Sequence, residues 1–395
     1  MTVAPTPPEQ RSLAPDLARG AMLLFIALAN SHYFLRGDTA GVLGGYPRDV
    51  GPVDAAVVWA VTTFVDGRAF PMFGLLFGYG VAQVVARWGP QLGPRGTRRL
   101  LWRRSLVLVA VGFLHAVLLF PGDILTAYGV LLLVGAWTVR WHDRWLLVVA
   151  ALFFAMLSLP GLDSYTVSEL GPDASMLPPD LLAVLTERPV VSGYVALLGP
   201  VGFACPFLVG LWAGRRRVLQ EPAEHRRLLV VTAVVGIAAA VAGAQPIAVV
   251  LAGWAGVPGD DVLELVGPLH DATGVLGGFG YAALVGLVAL RLGDRRPRWA
   301  QALAATGQRS MTCYLGQSVV WAVAFTPFLL DLSGTLTVTS TAVLATAAWL
   351  ATVVLADRMA RAGRRGPFEV LVRRVAYSRI GTRTARSEAT SAARS

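Results

Sequence analysis

Lysine is absent from all 395 residues, and charged side chains of any kind make up only 15% of them. A soluble chain carries about 25% charge, so this scarcity excludes an ordinary water-soluble domain. Cysteine is nearly missing as well. Cys205 and Cys313 are the only two, and they lack the close, paired spacing of a disulfide framework or a thiolate metal site. Both read as small apolar residues inside spans, and no metal site is expected. Also missing are a phosphate-binding loop and a zinc helix, motifs that would name a chemistry from spacing alone. The arginine-only basic set is read as a matter of composition, and no chemistry is drawn from it.

What fills the chain instead is hydrocarbon. It is 55% hydrophobic, with a mean hydropathy of +0.59. Apolar stretches near 20 residues recur, each long enough to cross about 30 Å of bilayer. The expected fold class is an all-α polytopic membrane protein, a bundle of about ten transmembrane helices. The span cores fall at 17–35, 68–88, 102–120, 123–139, 144–160, 191–214, 228–252, 271–291, 310–330 and 336–356. Segment 54–66 is apolar but too short to cross, and reads as one half-membrane helix leading into the second span. Residues 1–15 read as a disordered N-terminus, 16–357 as the transmembrane domain and 358–395 as a basic tail, with disorder expected at 1–10 and from about 380 onward.

The formal net charge of +10 would raise the question of nucleic acid in a soluble protein. Here the arginines cluster between spans, so the bilayer is the expected partner and nucleic acid is not. Segment 87–104 holds Arg87, Arg95, Arg98, Arg99, Arg103 and Arg104 without an acid, and 215–227, 291–298 and the tail share the bias. Loops 161–189 and 253–270 are acidic. The alternation predicts both termini in the cytoplasm of a bacterial cell, with the protein multi-pass in its inner membrane. Ala27-Leu28-Ala29 offers a small-x-small cleavage pattern, yet Asp16 precedes the run and the run continues past Asn30. It is kept as a span. Gly74 with Gly78, and Gly274 with Gly278, have the four-residue spacing that lets helix backbones approach closely.

Ionisable groups at membrane depth are costly enough to be functional candidates. The topology sorts them into two layers. Toward the cytoplasm lie Asp16, Arg19, Gln308, Arg309, Thr312, Tyr314, Gln317 and Ser318; toward the outside lie Asn30, His32, His115, Asp123, Tyr128, His270 and Asp271. Pro121-Gly122 is a turn dipeptide, so 113–129 (FLHAVLLFPGDILTAYG) reads as a tight hairpin with its tip outside. Counting away from the tip sets Tyr128 near the depth of His115, with Asp123 opening the next helix. An imidazole beside a carboxylate suits proton transfer. Asp123 as a simple helix cap, Tyr128 as an interface anchor and His115 as a structural histidine remain open. So does an Asp16–Arg19 ion pair across one helical turn, with Arg19 and Arg309 as topology anchors. Facing inward, the two arginines would instead suit a phosphorylated ligand.

Four stretches resemble one family. RSLAPDLARGAMLLFIALAN (11–30), FPMFGLLFGYGVAQ (70–83), FLHAVLLFPGDILTAYG (113–129) and GQRSMTCYLGQS (307–318) resemble, in order, the sequence elements of the YeiB-like bacterial membrane proteins carrying domain of unknown function 418. Cys313 stands where asparagine is usual in that family, and Gln308 where arginine is usual, with Arg309 adjacent. The first span is also similar to that of transmembrane acyltransferases. That similarity implies a membrane histidine as base and Asn30 near the acceptor.

Three functions stay open. In the first, a membrane-embedded acyltransferase takes acyl-CoA as cosubstrate, with no bound cofactor. Asp16, Arg19, Arg309, Thr312, Tyr314 and Gln317 would form its donor site, and His115, Asp123, Asn30 and Tyr128 its catalytic set. The acceptor would be an envelope glycan, a lipid or an exported metabolite. In the second, a proton-coupled transporter uses the same buried groups as its path. In the third, the chain is a structural or sensing subunit.

Overall fold

The computed structural model describes residues 12–37, 42–160, 167–168 and 172–377. The disorder expected at 1–10 and from about 380 therefore lies outside the described residues. All ten apolar runs fall on helices. The α-helices of the described residues are α1 (Leu13–Ser31), α2 (Pro52–Phe64), α3 (Ala69–Leu118), α4 (Ile124–Gly135), α5 (Asp143–Leu157), α6 (Leu181–Arg215), α7 (Arg226–Leu251), α8 (Asp260–Leu292), α9 (Arg298–Gln308), α10 (Ser310–Phe325), α11 (Val338–Arg361) and α12 (Pro367–Tyr377), and α2, α9 and α12 carry none of the ten runs. Among the described residues, six helical stretches are long and apolar enough to cross a membrane. The chain is an all-α multi-pass membrane protein. Leucines and valines such as Leu182, Leu197 and Val234 lie exposed on its surface, as a hydrocarbon solvent requires.

α2 has the short apolar helix expected at 54–66. α3 is broken at Gly93, where φ is +63° and Pro90 and Pro94 flank the break. The break reverses the chain. Tyr128 bonds Phe70 in the first limb, while its neighbour Gly129 bonds Ser105 in the second. A straight helix would hold Phe70 and Ser105 about 50 Å apart, so the limbs must run antiparallel. The basic segment 87–104, read from sequence as a loop between spans, is the helical tip of this hairpin. It marks an arginine-rich end of the bundle. At that end Arg215 and Arg216 both grip the Asp143 carboxylate at 3.0 Å. Burial works against that charge, but the two guanidiniums hold the carboxyl below its ordinary range.

Helix crossings use the small residues singled out from sequence. Gly78 on α3 lies against the Phe207 carbonyl of α6, and Gly210 on α6 lies against the Leu75 carbonyl of α3. Gly274 and Gly278 on α8 face Gly67 and Met72. A methyl group on Gly78 or Gly210 would run into backbone, which has no rotamer with which to retreat. Gly210→Ala is expected to destabilise the protein by about 1–3 kcal/mol, read as a lower melting temperature in detergent. An unchanged melting point would show that α3 and α6 can separate freely.

One feature of the opposite end was absent from the sequence reading. Three two-residue strands, β1 (Val42–Leu43), β2 (Tyr46–Pro47) and β3 (Val167–Ser168), pair antiparallel in the order β2-β1-β3. Gly44 and Gly45 join β1 to β2 with φ of +58° and +82°, the two positive angles of a type I′ hairpin turn. The ribbon sets the Tyr46 ring flat on His32, centroids 3.9 Å apart.

Candidate functional site

α4 begins where Asp123 caps it: the carboxylate Oδ2 accepts from the Thr126 backbone N–H at 3.0 Å and from the Thr126 hydroxyl at 3.3 Å. Pro121-Gly122 turns the second limb of α3 back onto this cap. The turn sets His115 Nδ1 2.8 Å from Asp123 Oδ1. The same oxygen accepts from the Tyr314 hydroxyl of α10 at 3.2 Å. The His115 and Tyr314 rings lie 5.0 Å apart, and the side chains of His115 and Asp123 are 1% and 0% exposed.

Carboxylates only accept, so the proton of a neutral His115 sits on Nδ1, facing Asp123. The lone pair then sits on Nε2, which is buried and has no hydrogen-bond partner among the described residues. Orienting one ring nitrogen while leaving the other open is the arrangement of a general base.

The hairpin tip lies inside the fold. Phe120 is buried, with its ring 5.8 Å from that of Phe34, and Arg188 reaches over to donate to the Val117 carbonyl at 3.3 Å. The sequence reading put this tip outside, on the premise that 123–139 crosses the membrane. α4 has only 12 residues, or about 18 Å, so its cap falls short of the far surface. For the same reason the cap lies within reach of Tyr314, which the sequence had put in the other layer.

The remaining nominated residues are spread out. Tyr128 donates to the Phe70 carbonyl at 3.0 Å and packs among Phe73, Phe77 and Phe203, away from the dyad. Asn30 is half-buried at the end of α1 and shares no hydrogen bond with His115, Asp123 or Tyr314. Asp16 pairs with Arg19 at 3.5 Å and accepts from Gln308 at 2.9 Å. Arg19 also donates to the Leu76 carbonyl, and Arg309, buried, donates to the carbonyls of Ala305 and Arg364. Gln317 reaches Thr352 at 3.3 Å.

Thr312 leads to a residue the sequence reading did not use. Glu369 of α12 accepts from the backbone N–H groups of Met311 and Thr312 at 2.9 and 3.1 Å, and from the Thr312 hydroxyl. It caps α10 from a distant part of the chain, since no side chain at the start of α10 does so. Glu369→Ala is expected to cost about 1–2 kcal/mol and to raise amide exchange in both α10 and α12. Faster exchange in neither helix would exclude this fastening.

A second polar cluster lies toward the end that carries the ribbon. Arg68, fully buried, donates to the Ala240 carbonyl at 2.6 Å, to the Asp66 carbonyl, and to His270 Nε2 at 2.6 Å. Arginine has no acceptor, so Nε2 carries the lone pair and His270 Nδ1 faces Asp271 at 3.2 Å. Asp66 in turn accepts from Tyr46 at 2.8 Å. Among the described residues no group of three or more histidine, cysteine or acidic side chains is arranged to hold a metal.

Residues 213–379 match the family model described as protein of unknown function, DUF418. Over 95% of its length the chain is 25% identical to the uncharacterized protein YxaH of Bacillus subtilis (strain 168), covering 96% of that protein. Both matches agree with the resemblance to the YeiB-like DUF418 proteins read from the sequence. Its match to the uncharacterized protein YeiB of Escherichia coli (strain K12) is 34% identical over 30% of this chain and 29% of that protein. An uncharacterized 39.9 kDa protein from the amylase 3′ region of Bacillus acidopullulyticus is 36% identical over 29% of this chain and 30% of its own. The DUF418 region contains Tyr314 and Glu369, while His115 and Asp123 lie upstream of it.

Proposed function

We propose that this protein is a membrane-embedded acyltransferase with His115 as its general base. The reading rests on the buried, open Nε2 of a histidine whose Nδ1 is fixed by Asp123. Nε2 takes the proton of an acceptor hydroxyl or amine as that group attacks the carbonyl of an acyl-CoA thioester. The C–S bond breaks, and the imidazolium returns the proton to the departing thiolate. Tyr314 and Thr126 hold Asp123, and Asp123 holds the ring. The Asn30 amide is the donor proposed for the oxyanion. Arg19, whose guanidinium meets Asp16 and the Leu76 carbonyl but whose side chain is 24% exposed, is more accessible to donor phosphates than the buried Arg309. The topology that goes with this reading sets the arginine-rich end and both termini on the cytoplasmic side of the bacterial inner membrane, with the α3–α4 hairpin entering the bundle without crossing it.

Proton-coupled transport is the second reading. It draws on the Asp66–Arg68–His270–Asp271 cluster, a second set of ionisable groups that acyl transfer does not use, with Arg68 and His270 buried and the two aspartates half-buried. Binding of labelled acetyl-CoA to the protein in nanodiscs separates the two. Saturable binding, weakened by Arg19→Ala, supports acyl transfer. No binding of acetyl-CoA or of longer acyl-CoAs overturns it and leaves the transport path.

A further inference from the structure

The sequence from Arg361 to Tyr377, RAGRRGPFEVLVRRVAY, has five arginines and one acid. That acid is Glu369, turned inward onto the start of α10. The surface that α12 shows to its surroundings therefore carries positive charge alone, from Arg364, Arg365, Arg373 and Arg374, all exposed. The helix is firmly seated. Ala376 is buried, Phe368 packs on the main core, and the Tyr377 hydroxyl accepts from Arg104 at 3.2 Å with its ring 5.5 Å from Trp88 of the hairpin tip.

Its outer face is not purely polar. Leu371 and Val375, one turn apart, are 41% and 48% exposed and stand beside the arginines. A shallow groove of about 540 Å³ runs along the helix, lined by Arg365, Val370, Arg373, Arg374 and Tyr377. At 11 residues, or about 16 Å, α12 is too short to cross a bilayer. Apolar side chains flanked by arginine, on a helix fixed to the basic end of a membrane bundle, match an interface whose depth changes from phosphate to hydrocarbon. A free phosphate would use the arginines and leave Leu371 and Val375 unexplained.

We propose that α12 and Arg365 bind an anionic phospholipid of the adjoining leaflet, its phosphate held by Arg365, Arg373 and Arg374 and its chains lying along Leu371 and Val375. The proposal needs the basic end to face the cytoplasmic leaflet, and it is independent of what His115 does.

Native mass spectrometry of the detergent-solubilised full chain, titrated with dioleoyl phosphatidylglycerol or dioleoyl phosphatidylcholine, tests it. Phosphatidylglycerol is expected to bind more tightly, and the triple variant Arg365→Gln/Arg373→Gln/Arg374→Gln to lose about tenfold in affinity for it. Leu371→Ser/Val375→Ser is expected to weaken the same binding while leaving the charge intact. Equal binding of the two lipids, or an unchanged affinity in the triple variant, overturns the proposal. So does inorganic phosphate displacing the lipid at millimolar concentration, which would mark a soluble-anion site. If the triple variant does not fold, amide exchange of 367–377 in the wild-type protein decides. Slower exchange in phosphatidylglycerol discs than in phosphatidylcholine discs supports the proposal, and equal exchange overturns it.

Discussion

Release of free CoA by the His115→Gln protein is expected to fall by about 10²–10⁴-fold, with acetyl-CoA binding unchanged. Glutamine is close to histidine in length and sets its carboxamide near the place of Nε2, so it gives up the 2.8 Å bond from Nδ1 to Asp123 Oδ1. It offers no basic lone pair, so the substitution removes proton transfer together with that bond. Asp123→Asn is the companion. Asparagine caps helices as well as aspartate, so α4 keeps its start, but one carboxamide oxygen cannot serve His115, Tyr314 and Thr126 together. The ring loses its fixed tautomer, and a loss of similar size is expected. The assay is thiol release in nanodiscs supplied with an envelope extract, normalised to folded protein by near-ultraviolet circular dichroism. Wild-type rates in His115→Gln would remove the base and the proposed chemistry with it.

The dyad was legible because it is local. His115 and Asp123 are eight residues apart and joined by a turn dipeptide, so sequence spacing alone brings them face to face. Tyr314 meets Asp123 from 191 positions away. Its place could not be read from loop charge, because charge counts crossings and says nothing of a helix that stops short. α4 is such a helix, and its shortness merges the two polar layers at Asp123. The helices themselves were legible from their apolar runs, and close backbone approach at Gly78 and Gly274 from their glycine spacing, though not which helix would meet them. The arginines of 361–377 were read only as topology. That α12 is a seated helix depends on Glu369 reaching the α10 N-terminus, a contact without a local signature. The ribbon did carry one, since Leu43-Gly44-Gly45-Tyr46 is a hairpin-turn sequence, and it went unused among the apolar runs.

Arg68 is where a stability measurement speaks to function. Arg68→Met keeps the bulk of the side chain and removes its donors to the Ala240 and Asp66 carbonyls and to His270 Nε2. Breaking a buried charged network from one side costs about 3–5 kcal/mol, and a loss of that size is expected in a denaturant titration. Arg68→Lys keeps the charge but not the fork. One ammonium cannot serve the Ala240 carbonyl and His270 as the two Nη atoms do, both at 2.6 Å, so an intermediate loss is expected. If the cluster is a girder that holds the α2–α3 break against α7 and α8, thiol release per folded Arg68→Lys molecule stays within about threefold of wild type, because distant sites act independently. Histidine and aspartate in a transport path would behave otherwise. The lysine variant would then still fold, yet lose proton uptake into vesicles driven by a pH gradient. Measuring stability, thiol release and proton flux on the wild-type, methionine and lysine proteins assigns the cluster to scaffold or path, whatever molecule the protein acts on.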